Sequence, residues 1–240
     1  MKYAFIHYSL MECMEEGLEK YVKKDYTGSL YDGLRQKHSE KRADIERRLQ
    51  DFRDSYLKDD KHVFGELCFC LFTPQSKAKS CWQAIEKLKE NGLLYNGTPE
   101  QIIKWVAAVR FNNNKSKYVV EARQLFTVNG ELKIKDTLAS LGDPLKMRKW
   151  LVKNVKGMGY KEAGHFLRNV GFGDDVAILD RHILKNMVKY GVISEIPKSL
   201  TEKKYLEIEA KFIEFADALG IPPAHLDLVF WSEEAGEIFK

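Results

Sequence analysis

The residues that could do chemistry are a lysine and an aspartate in one short stretch of the chain. Lys161 follows a Gly-Met-Gly sequence at 157–159, called here the glycine run, and Asp180 ends the apolar segment 176–180. A primary amine can act as a nucleophile that forms a Schiff base, and a carboxylate can hold that amine or accept its proton. The pattern therefore predicts an amine nucleophile with a carboxylate partner, placed beside a tight glycine turn.

The glycine run lies between two segments with helical spacing of apolar residues, which predicts a helix-hairpin-helix unit. Two glycines are needed, because a tight turn demands positive φ and because a duplex phosphate must come close to bare N–H groups at a helix N-terminus. We therefore predict that Gly157, Met158, Gly159 and Lys156 contact a DNA backbone. Nearby basic residues favour this interpretation over an ordinary helix end. These residues are Lys146, Arg148, Lys149, Lys153 and Lys156.

Lys161 and Asp180 each have a simpler interpretation. Lys161 falls in the first turn of the outgoing helix, where the helix dipole disfavours a cation and favours a neutral, nucleophilic amine. Taken alone, a lysine in this position is more often a surface residue. Asp180 precedes Arg181, and a single residue of this kind is more often an ordinary N-cap. The glycine turn at 171–173 lets the chain reverse, so both helix N-termini can face one cleft.

Charge is distributed unevenly along the 240 residues. The net charge is only +4, but residues 110–190 contain 16 Lys and Arg against 8 Asp and Glu, whereas residues 191–240 contain 5 against 10. Because basic surfaces attract phosphate groups, the central third of the chain is the candidate phosphate-facing surface. Charge alone leaves a solvated helix face with counterions as an equal alternative.

The cysteines give no sign of a metal or cluster site. Cys13, Cys68, Cys70 and Cys81 lack paired CxxC spacing, and the last third of the chain could not complete an iron–sulfur cluster. We therefore expect buried thiols in a reducing compartment. Neither a signal sequence nor an apolar run of the ~18 residues that a membrane span needs can be recognised, so the cytoplasm is the expected location.

Hydrophobic periodicity predicts an all-α protein, with no convincing strands or hairpins. A composition of 44% hydrophobic residues is enough to bury a substantial core. The nearly continuous apolar run 62–72 predicts a helix that is buried on all sides. Ile45, Leu49, Phe52 and Tyr56 give the preceding helix a narrow buried stripe.

Capping residues mark two further helix starts. Thr98, followed by Pro99, predicts the start of a helix that continues through Val106. Ser199 and Glu202 predict a capping box for a long helix near the end of the chain.

Lys161 and Asp180 stand nineteen positions apart behind a Gly-x-Gly turn, and this combination resembles the helix-hairpin-helix superfamily of DNA glycosylases. Within the superfamily, the chain is most similar to the second class of 8-oxoguanine DNA glycosylases, known mainly from archaea and some thermophilic bacteria. Three further segments carry the resemblance. They are Leu71 to Ser76, Arg110-Phe111 followed by Lys115 and Lys117, and Trp231 to Lys240.

The resemblance implies an all-α fold with two helical lobes and a central cleft. Residues 63–192 would form the central domain, and residues 1–62 would pack with residues 193–240. In the family, the lysine attacks the anomeric carbon of an extruded damaged nucleotide and expels the base. It stays linked as an imine until β-elimination nicks the strand on the 3′ side. Lys161 and Asp180 would take the catalytic roles.

The resemblance also implies a base pocket. Lys240, through a terminal carboxylate, would accept a hydrogen bond from the N7–H that distinguishes 8-oxoguanine from guanine. Trp231 would form a wall of the pocket, Gln75 would contact the base edge, and Phe111 would stack on the base. Without the family, Trp231 would be interpreted as a core aromatic residue and Gln75 as a polar turn residue.

No metal or organic cofactor is expected, although a monovalent cation at the 157–159 turn would help to orient a phosphate. The expected partner is duplex DNA containing 8-oxoguanine, bound by a monomer near the nucleoid of a prokaryotic cell. Two alternatives remain. One is a glycosylase of the same superfamily for another damaged base, such as an oxidised pyrimidine. The other is a non-enzymatic hairpin module that only holds DNA for a partner protein.

Overall fold

The computed structural model describes residues 26–174 and 176–235, without the side chains of residues 234 and 235. Most of this part of the chain is helical, and short connections join the helices. The elements in order are α1 (Ser29–Leu57), α2 (Asp60–Phe72), α3 (Ala78–Glu90), α4 (Leu93–Asn96), α5 (Pro99–Ile102), a 3-10 turn (Ile103–Trp105), α6 (Asn112–Phe126), β1 (Thr127–Val128), β2 (Glu131–Leu132), α7 (Ile134–Leu141), α8 (Pro144–Asn154), α9 (Tyr160–Asn169), α10 (Arg181–Lys189), α11 (Glu202–Leu219) and α12 (Pro223–Ala235).

Helix α2 is the centre of the first hydrophobic core. Its residues from Val63 to Phe72 are all buried, as the nearly continuous apolar sequence predicts. Asp59 caps its start by accepting a hydrogen bond from His62 N at 2.9 Å. Thr73 keeps helical backbone, with φ of −66° and ψ of −30°. The helix ends here because Pro74, the next residue, has no N–H with which to continue the hydrogen-bond pattern. Helices α3, α6, α7 and α9 all pack against α2.

A second hydrophobic core joins the two ends of the described chain. Ile45, Leu49 and Phe52 of α1 contribute to it, together with apolar residues of α10, α11 and α12. The buried stripe predicted for α1 is therefore confirmed at these positions, whereas Tyr56 packs against the first core. Buried residues between 177 and 193 also belong to the second core. The predicted limits of the two lobes remain a prediction.

The all-α prediction is confirmed, apart from one small hairpin within the described residues. Strand β1 pairs antiparallel with β2 around Asn129 and Gly130, whose φ angles are 52° and 82°. An Asn-Gly pair is favoured in such two-residue turns, because both central positions require positive φ. Strands of two residues are too short to show an alternating pattern, so periodicity did not reveal them.

Two helices differ from the sequence-based prediction, one in its length and the other in its capping residue. Helix α5 begins after Thr98 as predicted, but the α-helical backbone gives way after Ile102 to the 3-10 turn. Thr201 is the N-cap of α11, since its side chain accepts a hydrogen bond from Lys204 N at 3.3 Å. The prediction that Ser199 caps this helix is therefore wrong. None of the helices in the described ranges is long and apolar enough to cross a membrane.

Candidate active site

The glycine run forms the turn between α8 and α9, as predicted. Gly157 has a φ of 85°, and a Cβ atom there would lie 2.3 Å from the ring carbon Cδ2 of Tyr118. Gly159 has a φ of −97° and a ψ of −177°, so its backbone is not left-handed. Its N–H donates to Glu162 Oε2 at 3.3 Å. One glycine thus permits the turn, and the other leaves the start of α9 without a side chain.

Met158 and Lys156, the other two residues predicted to contact the DNA backbone, differ in exposure. Met158 is 5% exposed, and its N–H donates to Val155 O at 3.2 Å. The side chain of Lys156 is 64% exposed and forms an ion pair with Glu121 at 3.2 Å. Lys156 therefore presents its charge to solvent beside the turn, whereas the Met158 side chain belongs to the core. Contact of these residues with DNA remains a prediction.

Lys161 is the second residue of α9, and its side chain is 24% exposed. Its Nζ lies 3.8 Å from Glu162 Oε1, in the same carboxylate that receives the Gly159 N–H. Glu162 was missed as a site residue, although its place three positions after Gly159 is the acidic position of a capping box. Within the described part of the chain, neither a hydrogen bond nor an ion pair joins Lys161 to Asp180.

Asp180 is the N-cap of α10. The interpretation of this residue as an ordinary helix cap is therefore correct for the fold. Its Oδ1 accepts hydrogen bonds from His182 N at 2.8 Å and Ile183 N at 2.9 Å. Its Oδ2 takes no part in these two bonds. A carboxylate at a helix N-terminus is stabilised by the helix dipole. The same side chain can therefore cap α10 and still interact with a positive charge.

A buried polar network fixes the segment that leads to Asp180. Glu209 of α11 accepts a hydrogen bond from Ala177 N at 2.8 Å, and the hydroxyl of Tyr205 donates to Ala177 O at 2.6 Å. Arg148 of α8 forms a two-point ion pair with Glu209, with 2.7 Å between Nη2 and Oε2. Helix α11 therefore holds the 176–180 segment relative to the first helix of the hairpin.

Helix α9 and the 176–180 segment lie side by side. A Cβ atom at Gly164, three positions after Lys161, would lie 3.4 Å from Ala177 O and 3.9 Å from Ile178 Cγ1. The helix that carries Lys161 therefore contacts the segment that ends at Asp180. The chain reversal between them occurs at the glycine turn 171–173, as predicted.

A buried carboxylate lies within electrostatic range of the partly buried Asp180. Asp227 of α12 forms an ion pair with Arg168 of α9 at 2.7 Å, and both side chains are buried. Burial raises the pKa of Asp227 to about 6 against the attraction of Arg168, and the Asp180 charge raises it further. Sequence pattern cannot reveal this pair, because its two residues are 59 positions apart.

The residues predicted for base recognition have different surroundings. Gln75 and Phe111 are both exposed, and both have positive φ, 56° and 59°. Non-glycine residues in this conformation are uncommon and cluster at functional sites. Trp231 is half-buried on α12. Lys240 lies outside the described residues, and the roles of all four remain a prediction.

Three basic residues of the central third are buried rather than directed to solvent. They are Lys115, Arg148 and Arg168. The expectation that Arg148 supports phosphate contacts is therefore wrong, because its charge is paired with Glu209 inside the protein. The other basic residues near the hairpin are exposed. These are Lys146, Lys149, Lys153 and Lys156.

The predicted buried thiols are confirmed at Cys68, Cys70 and Cys81, whereas Cys13 lies outside the described residues. Burial raises the pKa of Cys81 to about 11, so this thiol stays protonated at neutral pH. Among the residues that the structure describes, no group of three or more His, Cys, Asp and Glu side chains could hold a metal ion. The expected cofactor-free chemistry and the cation at the 157–159 turn remain predictions.

Comparison with known proteins gives a consistent result. A family model described as 8-oxoguanine DNA glycosylase matches residues 45–221. An 8-oxoguanine DNA glycosylase/AP lyase of Fusobacterium nucleatum is 49% identical over 204 residues, which cover 85% of this chain and 94% of the relative. The protein of the same description from Methanocaldococcus jannaschii is 38% identical over 208 residues, covering 85% of this chain and 95% of the relative.

Solved structures agree with these sequence matches. The crystal structure of the Methanocaldococcus jannaschii 8-oxoguanine DNA glycosylase is similar with a TM-score of 0.79 at 32% identity, covering 90% of this chain and 100% of that chain. A second structure, in complex with 15mer DNA containing 8-oxoguanine, is similar with a TM-score of 0.77 at 33% identity. It covers 87% of this chain and 100% of that chain.

Proposed function

The chain belongs to the 8-oxoguanine DNA glycosylase family, and from this premise we propose that it excises 8-oxoguanine from duplex DNA and cleaves the strand at the abasic site. The observation that carries the proposal is the position of Lys161. It lies partly buried directly behind the hairpin, on a helix packed against the segment that ends at Asp180. The names of the relatives support both activities, and one similar structure holds DNA with this lesion.

The hairpin supplies the contact with the DNA backbone. Gly159 and the first residues of α9 present backbone N–H groups at a helix N-terminus, where a phosphate is stabilised by direct hydrogen bonds and by the helix dipole. Glu162 accepts the Gly159 N–H at 3.3 Å, so a phosphate that binds this N–H would replace the Glu162 carboxylate. Lys156 beside the turn and the exposed lysines of the preceding helix α8 add positive charge. A monovalent cation bound by turn carbonyls would strengthen this contact.

The chemistry begins after the damaged nucleotide leaves the base stack, which costs a few kcal/mol that phosphate and pocket contacts offset. Lys161 Nζ then attacks the anomeric carbon, and the bond from that carbon to the purine nitrogen breaks. The base leaves with the bonding electron pair and takes up a proton. Asp180 stabilises the positive charge on the sugar and accepts the proton that the amine releases.

Strand cleavage follows from the covalent intermediate. The amine stays attached as an imine once the sugar ring has opened. Loss of a proton from the neighbouring carbon then expels the 3′ phosphate by β-elimination, and hydrolysis of the imine releases Lys161. No step requires a metal ion or an organic cofactor.

The base pocket is proposed to include Gln75, Phe111, Trp231 and Lys240. The support is the exposed left-handed conformation of the first two residues and the half-buried position of Trp231 on α12. Removal of Lys240 should lower the preference for 8-oxoguanine over guanine. Unchanged preference would remove Lys240 from the pocket.

The proposal is tested by borohydride reduction in the presence of duplex DNA containing 8-oxoguanine. The wild-type chain should form a covalent adduct, and Lys161→Gln should form none while still binding the duplex. Lys87→Gln, at an exposed lysine of α3, is the matched control and should form as much adduct as wild type. Adduct formation only with an oxidised pyrimidine would indicate another lesion specificity. Binding without any adduct would indicate a non-enzymatic DNA-binding module.

A further inference from the structure

Lys115 is a buried lysine whose side-chain hydrogen bonds all go to one turn of the chain. It is 4% exposed, in the first turn of α6. Its Nζ donates to Phe72 O and to Pro74 O, each at 2.7 Å, and to Ser76 Oγ at 3.4 Å. An ammonium group has three N–H donors, so these three neutral acceptors use its full capacity.

The turn that Lys115 holds is the one that carries Gln75. The carbonyls of Phe72 and Pro74 lie on either side of Thr73, just before Gln75 in the chain, and Ser76 follows it directly. Gln75 itself is exposed with a φ of 56°. A glutamine in this conformation carries a strain that surrounding contacts must compensate. The Lys115 ammonium, anchored on both sides of Gln75, provides that compensation.

The same contacts tie a second turn to the first. Ser76 Oγ accepts a hydrogen bond from Arg110 N at 2.9 Å, immediately before Phe111. Phe111 is 51% exposed with a φ of 59°, and its carbonyl accepts a hydrogen bond from Lys115 N at 3.0 Å. Two exposed left-handed residues are therefore joined through Ser76 and Lys115 into one unit.

This unit lies within electrostatic range of Lys161. Burial lowers the pKa of Lys115 to about 8; Cys81 and Glu162 oppose this effect, and the charge of Lys161 adds to it. A buried charge that costs free energy and lies within electrostatic range of the proposed nucleophile is typical of a group retained for function. Its hydrogen bonds, however, point to the two turns and not to Lys161.

We propose that Lys115 is a positioning residue for base excision, because it holds the Gln75 and Phe111 turns in the geometry that receives the extruded base. This inference rests on the proposed function. Lys115 contacts no reacting atom in this scheme. It acts through the two turns, so its loss affects the step that needs a held base more than the step at an abasic site, where no base is present.

The test compares two reactions of Lys115→Met, which keeps a long unbranched side chain but removes all three donors. Single-turnover excision of 8-oxoguanine should fall by about tenfold to a hundredfold, the range expected for a small misplacement of a binding group. Borohydride trapping on a duplex with a preformed abasic site should fall much less. Lys87→Met is the matched control and should match wild type in both reactions.

The Ser76→Ala variant keeps the test decisive even if Lys115→Met folds poorly. It removes the hydrogen bond from Arg110 N but leaves the link through Lys115 and both of its carbonyl acceptors. It should therefore lower excision by a smaller factor in the same selective way. A parallel fall of excision and abasic trapping in both variants would reduce Lys115 to a structural role and overturn the inference, as would wild-type excision in both. If the wild-type chain itself fails to excise 8-oxoguanine, the proposed function fails, and not this inference alone.

Discussion

The guanidinium of Arg148 and the carboxylate of Glu209 form a buried two-point ion pair across two helices that are distant in sequence. The Nη2 to Oε2 distance is 2.7 Å, and the side chains are 3% and 7% exposed. The same carboxylate accepts the N–H of Ala177, three positions before Asp180. One glutamate therefore connects the first hairpin helix to the segment that presents the proposed catalytic aspartate.

We expect Glu209→Gln to destabilise the protein and to slow excision. The substitution leaves the Arg148 charge buried without a counter-charge, which typically costs about 3–5 kcal/mol. The free energy of unfolding, measured by urea denaturation, should fall by this order. Glu207→Gln is the control, because Glu207 forms its ion pairs on the exposed face of α11 and such pairs contribute about 0–1 kcal/mol. Equal losses of unfolding free energy in the two variants would show that the buried pair contributes no more to stability than the exposed pairs do.

Asp180→Asn separates the structural and chemical roles of this residue. Asparagine caps helices about as well as aspartate, so the stability should change by less than about 1 kcal/mol. The negative charge is lost, however, and single-turnover excision should fall by about 10²-fold to 10⁴-fold, the range for a general acid or base. Asp180→Ala should lose both the cap and the activity. Wild-type excision by Asp180→Asn would mean that Asp180 is a helix cap and nothing more.

The local features of the site could be predicted from the sequence, because they depend on residues close together in the chain. The turn at Gly157, the place of Lys161 in the first turn of α9 and the cap formed by Asp180 all follow from spacing and residue type. The burial of α2 likewise follows from one continuous apolar run.

The long-range polar contacts could not be predicted in this way. The sequence places Lys115 and Arg148 in a predicted basic surface, because nothing near them in the chain reveals a partner. Their acceptors lie on other elements, 43 and 61 positions away for Phe72 and Glu209. The predicted start of α11 is wrong for a related reason. Ser199 and Thr201 are both capping residues, and only the packing of α11 decides between them.

Stability should fall in mild acid because of a histidine pair between α1 and α12. His38 Nε2 and His225 Nδ1 lie 3.0 Å apart. Burial lowers the pKa of both below the ordinary 6.5; the Arg42 charge adds to this effect at His38, and the His38 charge at His225, while Glu46 opposes it at both. Asp174 opposes it more weakly at His225.

The sign of the effect follows from these shifts. As pH falls through about 6.5, the unfolded chain takes up protons before the folded pair does, so this contribution to stability is complete above that pH and is lost below it. His225→Gln removes one of the two groups, and its free energy of unfolding should decline less between about pH 7 and pH 5 than that of wild type. Identical declines in urea denaturation would show that the pair does not set the acid sensitivity.

Replacement of the two hairpin glycines by alanine should have different effects, on stability at Gly157 and on DNA binding at Gly159. At Gly157 the φ of 85° and the Tyr118 ring at 2.3 Å from the added Cβ strain the turn, so Gly157→Ala should lose stability by more than about 1 kcal/mol. At Gly159 the backbone is extended, and the added Cβ meets only the flexible Glu162 side chain at 3.1 Å. Gly159→Ala should therefore fold nearly as stably as wild type.

Gly159→Ala should nevertheless bind DNA more weakly, because its methyl group occupies the space through which a phosphate approaches the N–H groups of α9. Affinity for a lesion duplex, measured by fluorescence anisotropy in the Lys161→Gln background to prevent turnover, should fall about tenfold, which corresponds to about 1.4 kcal/mol. Asn154→Ala, at an exposed residue at the end of α8, controls for a change near the turn that leaves both glycines intact. Unchanged affinity of Gly159→Ala would mean that the hairpin does not contact the DNA backbone, and the position of Lys161 behind it would then lose its main support.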